Sequence, residues 1–228
     1  MNLQDKVVVI TGASRGLGRS MAATLVTKGC KVVISSKAGD ELKQTASEIG
    51  ATAIVADVTS KANIQGLADE VVKEFGRIDI WINNAGIDAP SSSIEDLDIS
   101  RLHQMLEVNL FGAIYGSQSA LVQMKAQRSG AIVNIVSRSS LAGRPETAGY
   151  SASKWAERGF SESLRLAAQP YGIEVIAVYP AGIKTDLFGS DKPADYDTYM
   201  EPQYVADRVI EDLEKGKPEE ELVIEKSN

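Results

Sequence analysis

The sequence predicts an α/β protein whose parallel sheet is covered by helices on both faces. Short runs of β-branched residues alternate with longer segments of helical period, at a spacing of about 20–30 residues per repeat of the pattern. The runs Val7–Ile10 and Ile132–Val136 are continuously apolar apart from Asn134. Strands of this kind are buried on both faces, which is typical of a parallel sheet between two helical layers.

Seven segments have the composition of strands, and right-handed crossovers between them predict a doubly wound sheet of about seven strands. The predicted strands are Lys6–Thr11, Lys31–Ser35, Thr52–Ala56, Ile78–Ile82, Ala131–Ser137, Glu174–Tyr179 and Glu221–Glu225.

Six segments between these strands carry the helical period. They are Gly16–Lys28, Asp40–Ile49, Lys61–Phe75, Ser100–Gln127, Gly149–Ala168 and Pro202–Lys215. Asp98 or Ser100 is suited to cap the long fourth helix, and Gly130 follows its end. Because the chain has no internal repeat, low-complexity tract or linker, residues 1–228 are expected to form one domain.

The composition is ordinary for a soluble protein. A net charge of −7, from 24 basic and 31 acidic residues, argues against nucleic-acid binding. No apolar run approaches the roughly 20 residues of a membrane helix, and the amino terminus lacks the pattern of a secretory signal. Cys30 is the only cysteine and His103 the only histidine. We therefore expect a cytoplasmic protein with no bound metal and no membrane or nucleic-acid partner.

Three glycines lie between the first strand and the first helix, in the segment TGASRGLG. Glycine permits a tight turn and lets backbone N–H groups approach a phosphate, and the helix amino terminus adds unsatisfied donors. This context predicts a dinucleotide site, although a purely structural turn is the alternative. The predicted contacts are Gly12, Ser14, Arg15, Gly16, Leu17 and Gly18.

The end of the second strand bears on which nicotinamide cofactor binds. A carboxylate there would accept hydrogen bonds from a free ribose 2′-hydroxyl and repel a 2′-phosphate. This chain has Ser36 and Lys37 instead, and Arg15 is a second cation nearby, which favours NADP(H) over NAD(H). The alternative is that Lys37 is only solvated and Asp40 binds the ribose, although Asp40 is also suited to begin the next helix.

Tyr150 and Lys154 lie four residues apart in AGYSASKWAERGF, so they share one face of a helix. If the two groups lie about 5 Å apart at an effective dielectric constant of about 20, the ammonium stabilises the phenolate by about 3 kcal/mol. We expect it to lower the pKa of the phenol, as general acid–base catalysis at neutral pH requires. With the glycine turn, this motif predicts hydride transfer between a nicotinamide and a carbonyl or alcohol.

The chain resembles the short-chain dehydrogenase/reductase family over nearly its whole length. The matching pieces, in order, are TGASRGLG, Asp57–Val58, NNAG at Asn83–Gly86, Asn109 in VNLFG, Ser137, YSASK, and YPAGIKT at Tyr179–Thr185. The resemblance implies a three-layer Rossmann-type fold with the active site at the carboxyl edge of the sheet. It also implies a homodimer or homotetramer.

The same resemblance implies the catalytic residues Asn109, Ser137, Tyr150 and Lys154. Tyr150 would donate a proton to the carbonyl oxygen, Ser137 would hydrogen-bond that oxygen, and Lys154 would bind the ribose. Asn109 would hold a water that links Lys154 to solvent; alternatively, it only satisfies helix backbone. The implied cofactor contacts are Ser36, Lys37, Asp57, Val58, Asn84, Ala85, Gly86, Tyr150, Lys154, Pro180, Gly182, Ile183 and Thr185.

Three local alternatives remain at this stage. Asp57 is also suited to cap the turn that follows it, and Asn83 and Asn84 are suited to tie strands together. Ala181 replaces the glycine usual after the family's proline, which puts the path of that loop in doubt because alanine disfavours positive φ.

The segment Asp186–Met200 is expected to be a lid over the substrate, a small carbonyl or alcohol compound. Apolar residues in it are expected either to line a pocket or to pack on the sheet; they are Leu187, Phe188, Tyr196, Tyr199 and Met200. Arg138 and Arg144 are candidates for recognising an anionic group, or are simply solvated.

Two other functions are considered. Ser151-Ala-Ser-Lys154 fits the S-x-x-K pattern of serine acyl-transferases, but the accompanying motifs are missing from the sequence. A dinucleotide-binding sensor or scaffold without activity would be expected to lack part of the Asn–Ser–Tyr–Lys set, which is complete here.

Overall fold

The structure, a computed structural model, describes residues 1–189 and 191–226. These residues contain a seven-stranded sheet in the order β3-β2-β1-β4-β5-β6-β7. All six neighbouring pairs are parallel, which confirms the predicted fold class. The strands are β1 Val7–Thr11, β2 Lys31–Ser36, β3 Thr52–Val55, β4 Ile80–Asn83, β5 Gly130–Ile135, β6 Ile173–Pro180 and β7 Glu221–Ile224. The prediction of one domain over 1–228 includes residues 190, 227 and 228, which lie outside the described part.

Helices cover both faces of this sheet. They are α1 Gly16–Thr27, α2 Gly39–Ile49, α3 Lys61–Phe75, α4 Ile99–Met105, α5 Gly112–Gln127, α6 Ala148–Ala168 and α7 Pro202–Glu214. In the described residues, no helix combines the length and apolarity needed to cross a bilayer. Nor do they contain a cluster of three or more His, Cys, Asp or Glu residues suited to a metal ion.

The predicted long helix Ser100–Gln127 is not a uniform α-helix. Between α4 and α5, residues Leu106–Phe111 form a π-helical segment with wider turns. Asp98 caps the amino end by accepting a hydrogen bond from the backbone N–H of Arg101 at 3.0 Å. The carboxyl end is made by Arg128 in the left-handed conformation, with φ of 56°, and Gly130 already belongs to β5.

The core has two halves, one on each face of the sheet. Within Val7–Ile10, alternate side chains point to opposite faces: Val8 and Ile10 pack with α1 and α7, and Val7 and Val9 pack with α3, α5 and α6. Both sets are fully buried. This arrangement explains why the strand lacks polar alternation, since neither of its faces meets water.

Asn134, the one polar residue within apolar β5, belongs to a buried hydrogen-bonded chain. It accepts from Asn83 Nδ2 at 2.8 Å through its Oδ1 and donates to Ser161 Oγ at 2.8 Å. Trp81 Nε1 donates to Asn83 Oδ1, and the Ser161 hydroxyl donates to the Glu157 carbonyl, each at 2.8 Å. This series of hydrogen bonds therefore fixes α6 to β4 and β5.

The strand order reverses between β1 and β4, which is the position where doubly wound sheets form a crevice. The glycine turn follows β1, and the NNAG segment begins at the end of β4. Ser137 follows β5, and Pro180 ends β6. Residues that are distant in the sequence therefore meet at the carboxyl edge of the sheet.

Candidate active site

A cleft of about 620 Å³ opens at this carboxyl edge. Its lining includes every predicted site residue except Asn109. At one end lies the glycine turn with Lys37 and Asp57, and at the other lie Ser137, Tyr150 and Lys154. Each predicted residue except Asn109 thus contributes to one continuous surface.

Two of the three glycines are required by contact with the NNAG loop. At Gly12, with φ of 64°, a Cβ would lie 2.6 Å from Ala85 Cα. At Gly18, a Cβ would lie 2.6 Å from Asn84 Nδ2. Gly16 has φ of 56°, which favours glycine for its backbone conformation. The turn is therefore packed against the β4 loop, with Gly16 shaping its entry into α1.

The amino end of α1 is suited to an anion. Its N-cap residue is Arg15, and no side-chain cap hydrogen bond is formed there. Nor does an acidic side chain lie in its first turn. The first N–H groups and the positive end of the helix dipole are thus left for a ligand in the cleft.

Asn83 and Asn84 hold the cleft floor together, as the sequence suggested. Asn84 Nδ2 donates to the carbonyls of Thr11 at 3.0 Å and Gly12 at 2.9 Å, which joins the β4 loop to the glycine turn. Asn83 donates to Asn134 and to Ser117 Oγ, at 2.8 and 3.0 Å. Both side chains are therefore structural, although Asn84 also lines the cleft.

Asp57 caps a turn and lines the cleft at the same time. Its Oδ1 accepts from the backbone N–H of Thr59 at 2.9 Å and from the Thr59 hydroxyl at 2.8 Å. The backbone bond is the main reason that the pKa of this carboxyl is lowered, and Lys37 acts in the same direction. The turn-capping alternative is thus observed, while contact with adenine remains a prediction.

Glu41, which sequence reasoning missed, lies in the same end of the cleft. Its Oε2 accepts from Ser14 Oγ at 3.0 Å, and its Oε1 is 3.8 Å from Arg15 Nη1. Arg15 Nε is also 3.8 Å from Asp186. Asp40, the alternative ribose ligand, does not line the cleft. Residues 41 and 45 share one face of α2, and Thr45 donates to the Ser14 carbonyl at 2.7 Å, a tertiary contact that the sequence did not show.

Tyr150 and Lys154 point into the cleft from one face of α6, as predicted. The ammonium nitrogen is 6.0 Å from the centroid of the phenol ring. The Ser137 hydroxyl lines the cleft with them and accepts a hydrogen bond from the Ser139 backbone N–H at 3.1 Å. Of the nearby serines, Ser140 is buried and does not line the cleft. These three side chains therefore form a compact polar group.

The prediction that the pKa of the Tyr150 phenol is lowered is wrong when all the protein groups around it are counted. Burial raises the pKa of Tyr150 above its usual value, and Asp88 and Glu157 raise it further. Lys154 and Ser137 act in the predicted direction but do not prevail. The sequence showed the cation four residues away, but it did not show the desolvation or the two carboxylates.

One of these carboxylates, Glu157, forms an ion pair with Lys154 and was also missed. Its Oε2 is 2.7 Å from Lys154 Nζ, and Lys154 donates a second hydrogen bond to the Ile135 carbonyl at 2.9 Å. Burial opposes the charge on Lys154, but Glu157 and the Tyr150 phenol outweigh it, so the pKa of the ammonium is raised. The i, i+3 spacing on α6 was the available indication.

Asn109 lies behind the cleft, within the π-helical segment. Its Oδ1 accepts from the Ile87 backbone N–H at 2.9 Å. Its Nδ2 donates to the Ile87 carbonyl at 3.0 Å and to Ser153 Oγ at 3.1 Å. The side chain therefore ties the loop after β4 to α6. It does not bond to the backbone of its own helix, as the alternative supposed, and it does not line the cleft. Its role with a water remains a prediction.

The loop after β6 adopts a regular path in spite of Ala181. Neither Ala181 nor Gly182 has positive φ. The Ala181 N–H donates to the Ile224 carbonyl at 2.9 Å. Gly182 is needed for another reason, since a Cβ there would lie 2.5 Å from the Tyr199 ring. The doubt about the loop is therefore resolved, since Ala181 needs no positive φ, and Gly182 makes room for the Tyr199 ring.

The predicted lid is described except for residue 190. Phe188, Tyr196 and Tyr199 form an aromatic cluster with ring centroids 5.6–5.9 Å apart. Leu187, Phe188 and Tyr199 line the cleft, whereas Met200 is buried in the core. The apolar residues thus divide between the two expected roles.

Three further residues that the sequence singled out are placed by the structure. Arg138 forms an ion pair with Glu225 at 2.9 Å, and both Arg138 and Arg144 line the cleft. Ser151 is buried against Thr147 and does not line the cleft, which removes the basis for an acyl-transferase.

Comparison with known proteins agrees with this geometry. A family model described as short chain dehydrogenase matches residues 6–195. The chain belongs to the short-chain dehydrogenase family. A similar protein of Staphylococcus saprophyticus, named an uncharacterized oxidoreductase, is 34% identical over 222 residues, with 94% of each chain covered.

Solved structures of the family are also similar to this short-chain dehydrogenase. A 3-ketoacyl-(acyl-carrier-protein) reductase from Brucella melitensis in complex with NADH has a TM-score of 0.89 and 25% identity, covering 97% of both chains. An alcohol dehydrogenase from the archaeon Thermococcus sibiricus in complex with 5-hydroxy-NADP has a TM-score of 0.87 and 27% identity, covering 97% of this chain and 96% of that one. The chain is thus an NAD(P)-dependent oxidoreductase that acts on CH–OH groups.

Proposed function

We propose that this short-chain dehydrogenase reduces a small carbonyl compound to a secondary alcohol with NADPH. The observation that carries the proposal is the grouping of Ser137, Tyr150 and Lys154 at one end of a cleft whose other end is an anion-binding turn. A sensor or scaffold without activity would not need this polar group.

The cleft residues fit a nicotinamide dinucleotide. The uncapped amino end of α1 and the left-handed Gly16 would hold its pyrophosphate, and Asn84, Ala85 and Gly86 would lie beside its ribose. The residues of the β6 loop would hold the nicotinamide end; they are Pro180, Gly182, Ile183 and Thr185. When bound, the dihydronicotinamide supplies the hydride.

Tyr150 is the proton donor in this proposal. Because the pKa of its phenol is raised, the group carries its proton at neutral pH, which suits reduction. Ser137 donates a hydrogen bond to the same carbonyl oxygen and stabilises its developing charge. Lys154 binds ribose hydroxyls and stabilises the phenolate that remains after proton transfer.

The choice of NADPH rests on Lys37 and Arg15 at the adenosine end of the cleft. Glu41 opposes it, since its carboxylate lies beside Arg15 and would repel a 2′-phosphate. We expect Lys37→Ala to weaken NADPH binding about tenfold without affecting NADH. Glu41→Gln should tighten NADPH binding. Equal effects of Lys37→Ala on both cofactors, measured by fluorescence titration, would remove the basis for the preference.

The substrate would place its carbonyl beside Tyr150 and an apolar part against Leu187, Phe188 and Tyr199. A homodimer or homotetramer is supported by exposed apolar side chains on α5 and α6, namely Val122, Trp155 and Leu166. Light scattering of the purified protein tests the assembly. A cytoplasmic location is supported by Cys30, which is a free thiol.

The deciding experiment measures dihydronicotinamide absorbance with a panel of ketones and aldehydes and each cofactor. Tyr150→Phe should lower turnover by about 10²–10⁴-fold while leaving NADPH binding nearly unchanged. Tyr171→Phe, in the short 3-10 turn Gln169–Tyr171 that follows α6, is the matched control and should keep full activity. Undiminished turnover in Tyr150→Phe would contradict the proposal, as would NADPH binding without turnover across the whole panel.

A further inference from the structure

Glu157 is a buried acid next to the cleft that the proposed reaction has not yet used. Its side chain is 2% exposed and that of Lys154 is 5% exposed. The two form an ion pair of 2.7 Å within one turn of α6. Lys154 lines the cleft and Glu157 does not, so Glu157 acts on the reaction through its contact with Lys154 and through its charge, which also acts on Tyr150.

We propose that Glu157 is a positioning residue, which holds the Lys154 ammonium in place and keeps the Tyr150–Lys154 pair fully protonated over the working pH range. This inference rests on the proposed function, because it assigns Lys154 and Tyr150 their catalytic roles.

The contacts of the ammonium account for the positioning. It has three N–H groups, of which one is directed to the Ile135 carbonyl and another to Glu157. Ile135 belongs to β5, so the ammonium is fixed to the sheet on one side and to α6 on the other. One N–H group remains for a ligand in the cleft. Without Glu157, the long lysine side chain would regain rotamer freedom.

The backbone around Glu157 is held as firmly as its side chain. Its carbonyl accepts from Ser161 Oγ, which in turn accepts from Asn134 on β5. The carboxylate is thus carried by a part of α6 that the central hydrogen-bonded chain attaches to the sheet. This support is suited to holding a charge at a fixed distance from its partner.

Few other titratable groups face this pair in the described residues. Tyr150 and Glu157 act on Lys154 from α6, and Asp88 acts from the loop after β4. From β5, Lys154 contacts a neutral carbonyl. Asp88 lines the cleft beside substrate and solvent, whereas Glu157 lies behind the lysine. Glu157 is therefore the charge that stays constant when a ligand enters.

Removal of the Glu157 charge should lower the pKa of both Lys154 and Tyr150. Lys154 would lose its stabilising anion, so its ammonium would give up a proton more easily. Tyr150 would lose a repelling anion, so its phenol would do the same. Whichever group ionises first, the pair loses its first proton at lower pH.

The test compares Glu157→Gln with Glu162→Gln on the same helix. Glu162 is half exposed and pairs with Arg158, so its variant also removes one α6 carboxylate. For carbonyl reduction, the pH above which kcat/KM declines should fall by about one unit in Glu157→Gln and stay unchanged in Glu162→Gln. An unchanged pH profile in Glu157→Gln, even with lower stability, would show a merely structural role and overturn the proposal.

A second variant separates charge from placement. Glu157→Asp keeps the carboxylate but shortens its reach, so we expect a lower kcat with the alkaline decline near its wild-type pH. If Glu157→Gln does not fold, Glu157→Met fills the site with apolar atoms and should show the same shift. A Glu157→Asp profile that shifts as far as that of the neutral variant would overturn the assignment to charge.

Proton loss is also followed without turnover. The tyrosinate absorbance and the NMR signal of ¹³C-labelled lysine are titrated, with Tyr150→Phe and Lys154→Arg used to assign the two groups. If Glu157→Gln loses its first proton at lower pH but the wild-type protein reduces no carbonyl, the proposed function is refuted and the role of Glu157 is kept. The same titration in wild type and Glu157→Gln would refute the role of Glu157 alone.

Discussion

The buried hydrogen-bonded chain through Asn134 makes a quantitative prediction for Asn134→Ala. Asn134 is fully buried, and the substitution removes its bonds to Asn83 and Ser161. Asn83 keeps two other acceptors, Ser117 Oγ at 3.0 Å and the Ala113 carbonyl at 3.3 Å. Ser161 keeps its acceptor at Glu157. Neither partner is therefore left wholly unsatisfied.

The expected loss of stability follows from these contacts. Two buried hydrogen bonds contribute about 1 kcal/mol each, and the space left by the shortened side chain adds about 1 kcal/mol. The free energy of unfolding should thus fall by about 3 kcal/mol. For a chain of this length that corresponds to about 6–12 °C in Tm. The series of hydrogen bonds reaches the Glu157 carbonyl on α6, the helix that carries Tyr150 and Lys154. We therefore expect kcat to decline as well.

Urea denaturation followed by circular dichroism measures the change, with Gln44→Ala as the control. Gln44 makes an exposed hydrogen bond to Glu48 at 2.9 Å, and its loss should change stability by less than about 0.5 kcal/mol. If Asn134→Ala costs no more than this control, the network is not what joins α6 to the sheet.

Three further predictions concern the loop after β6, the thiol and a helix cap. Gly182→Ala should lower kcat/KM by about tenfold, because a Cβ would lie 2.5 Å from the Tyr199 ring. In a Tyr199→Ala background the same substitution should have little further effect on kcat/KM, and an equal loss in both backgrounds would exclude the clash as the cause. Burial raises the pKa of the Cys30 thiol from 9.0 to about 11. The stability that comes from burying the protonated thiol is therefore complete below pH 9 and is lost as the pH rises through 11. In urea titrations the free energy of unfolding should decline less at alkaline pH in Cys30→Ala than in wild type, by about 2 kcal/mol. Parallel pH curves for the two proteins would contradict this. Asp98→Ala should lower the free energy of unfolding by about 1 kcal/mol through loss of the cap on the Arg101 N–H, with a change within measurement error counting against it.

The strands and helices show how much of the fold was predictable. All seven strands and the helices around them were predicted within a few residues, because periodicity and glycine turns are local properties of the sequence. The predicted long helix Ser100–Gln127 was less accurate, since nothing in its period indicates the wider π-helical turns at Leu106–Phe111. Those turns accompany the contacts of Asn109 with Ile87 and Ser153, which are 22 and 44 residues away.

The candidate site divides in the same way. Motif residues such as Tyr150 and Lys154 could be found because their spacing on one helix is itself the indication. Glu41 was missed because its neighbours Ser14 and Arg15 belong to another βα unit. The path of the loop at Ala181 stayed in doubt from the sequence, because backbone dihedral angles depend on contacts such as the hydrogen bond to Ile224 and not on residue type alone.

The sequence by itself determined the strand and helix pattern, the doubly wound sheet, the glycine turn and the residue types of the polar group. Only the tertiary structure decided the ionisation of that group, since burial and the carboxylates Asp88 and Glu157 oppose the effect of Lys154 on Tyr150. The physical reason is that periodicity is carried by neighbours along the chain. Desolvation and charge–charge distance, in contrast, depend on which residues the fold brings together.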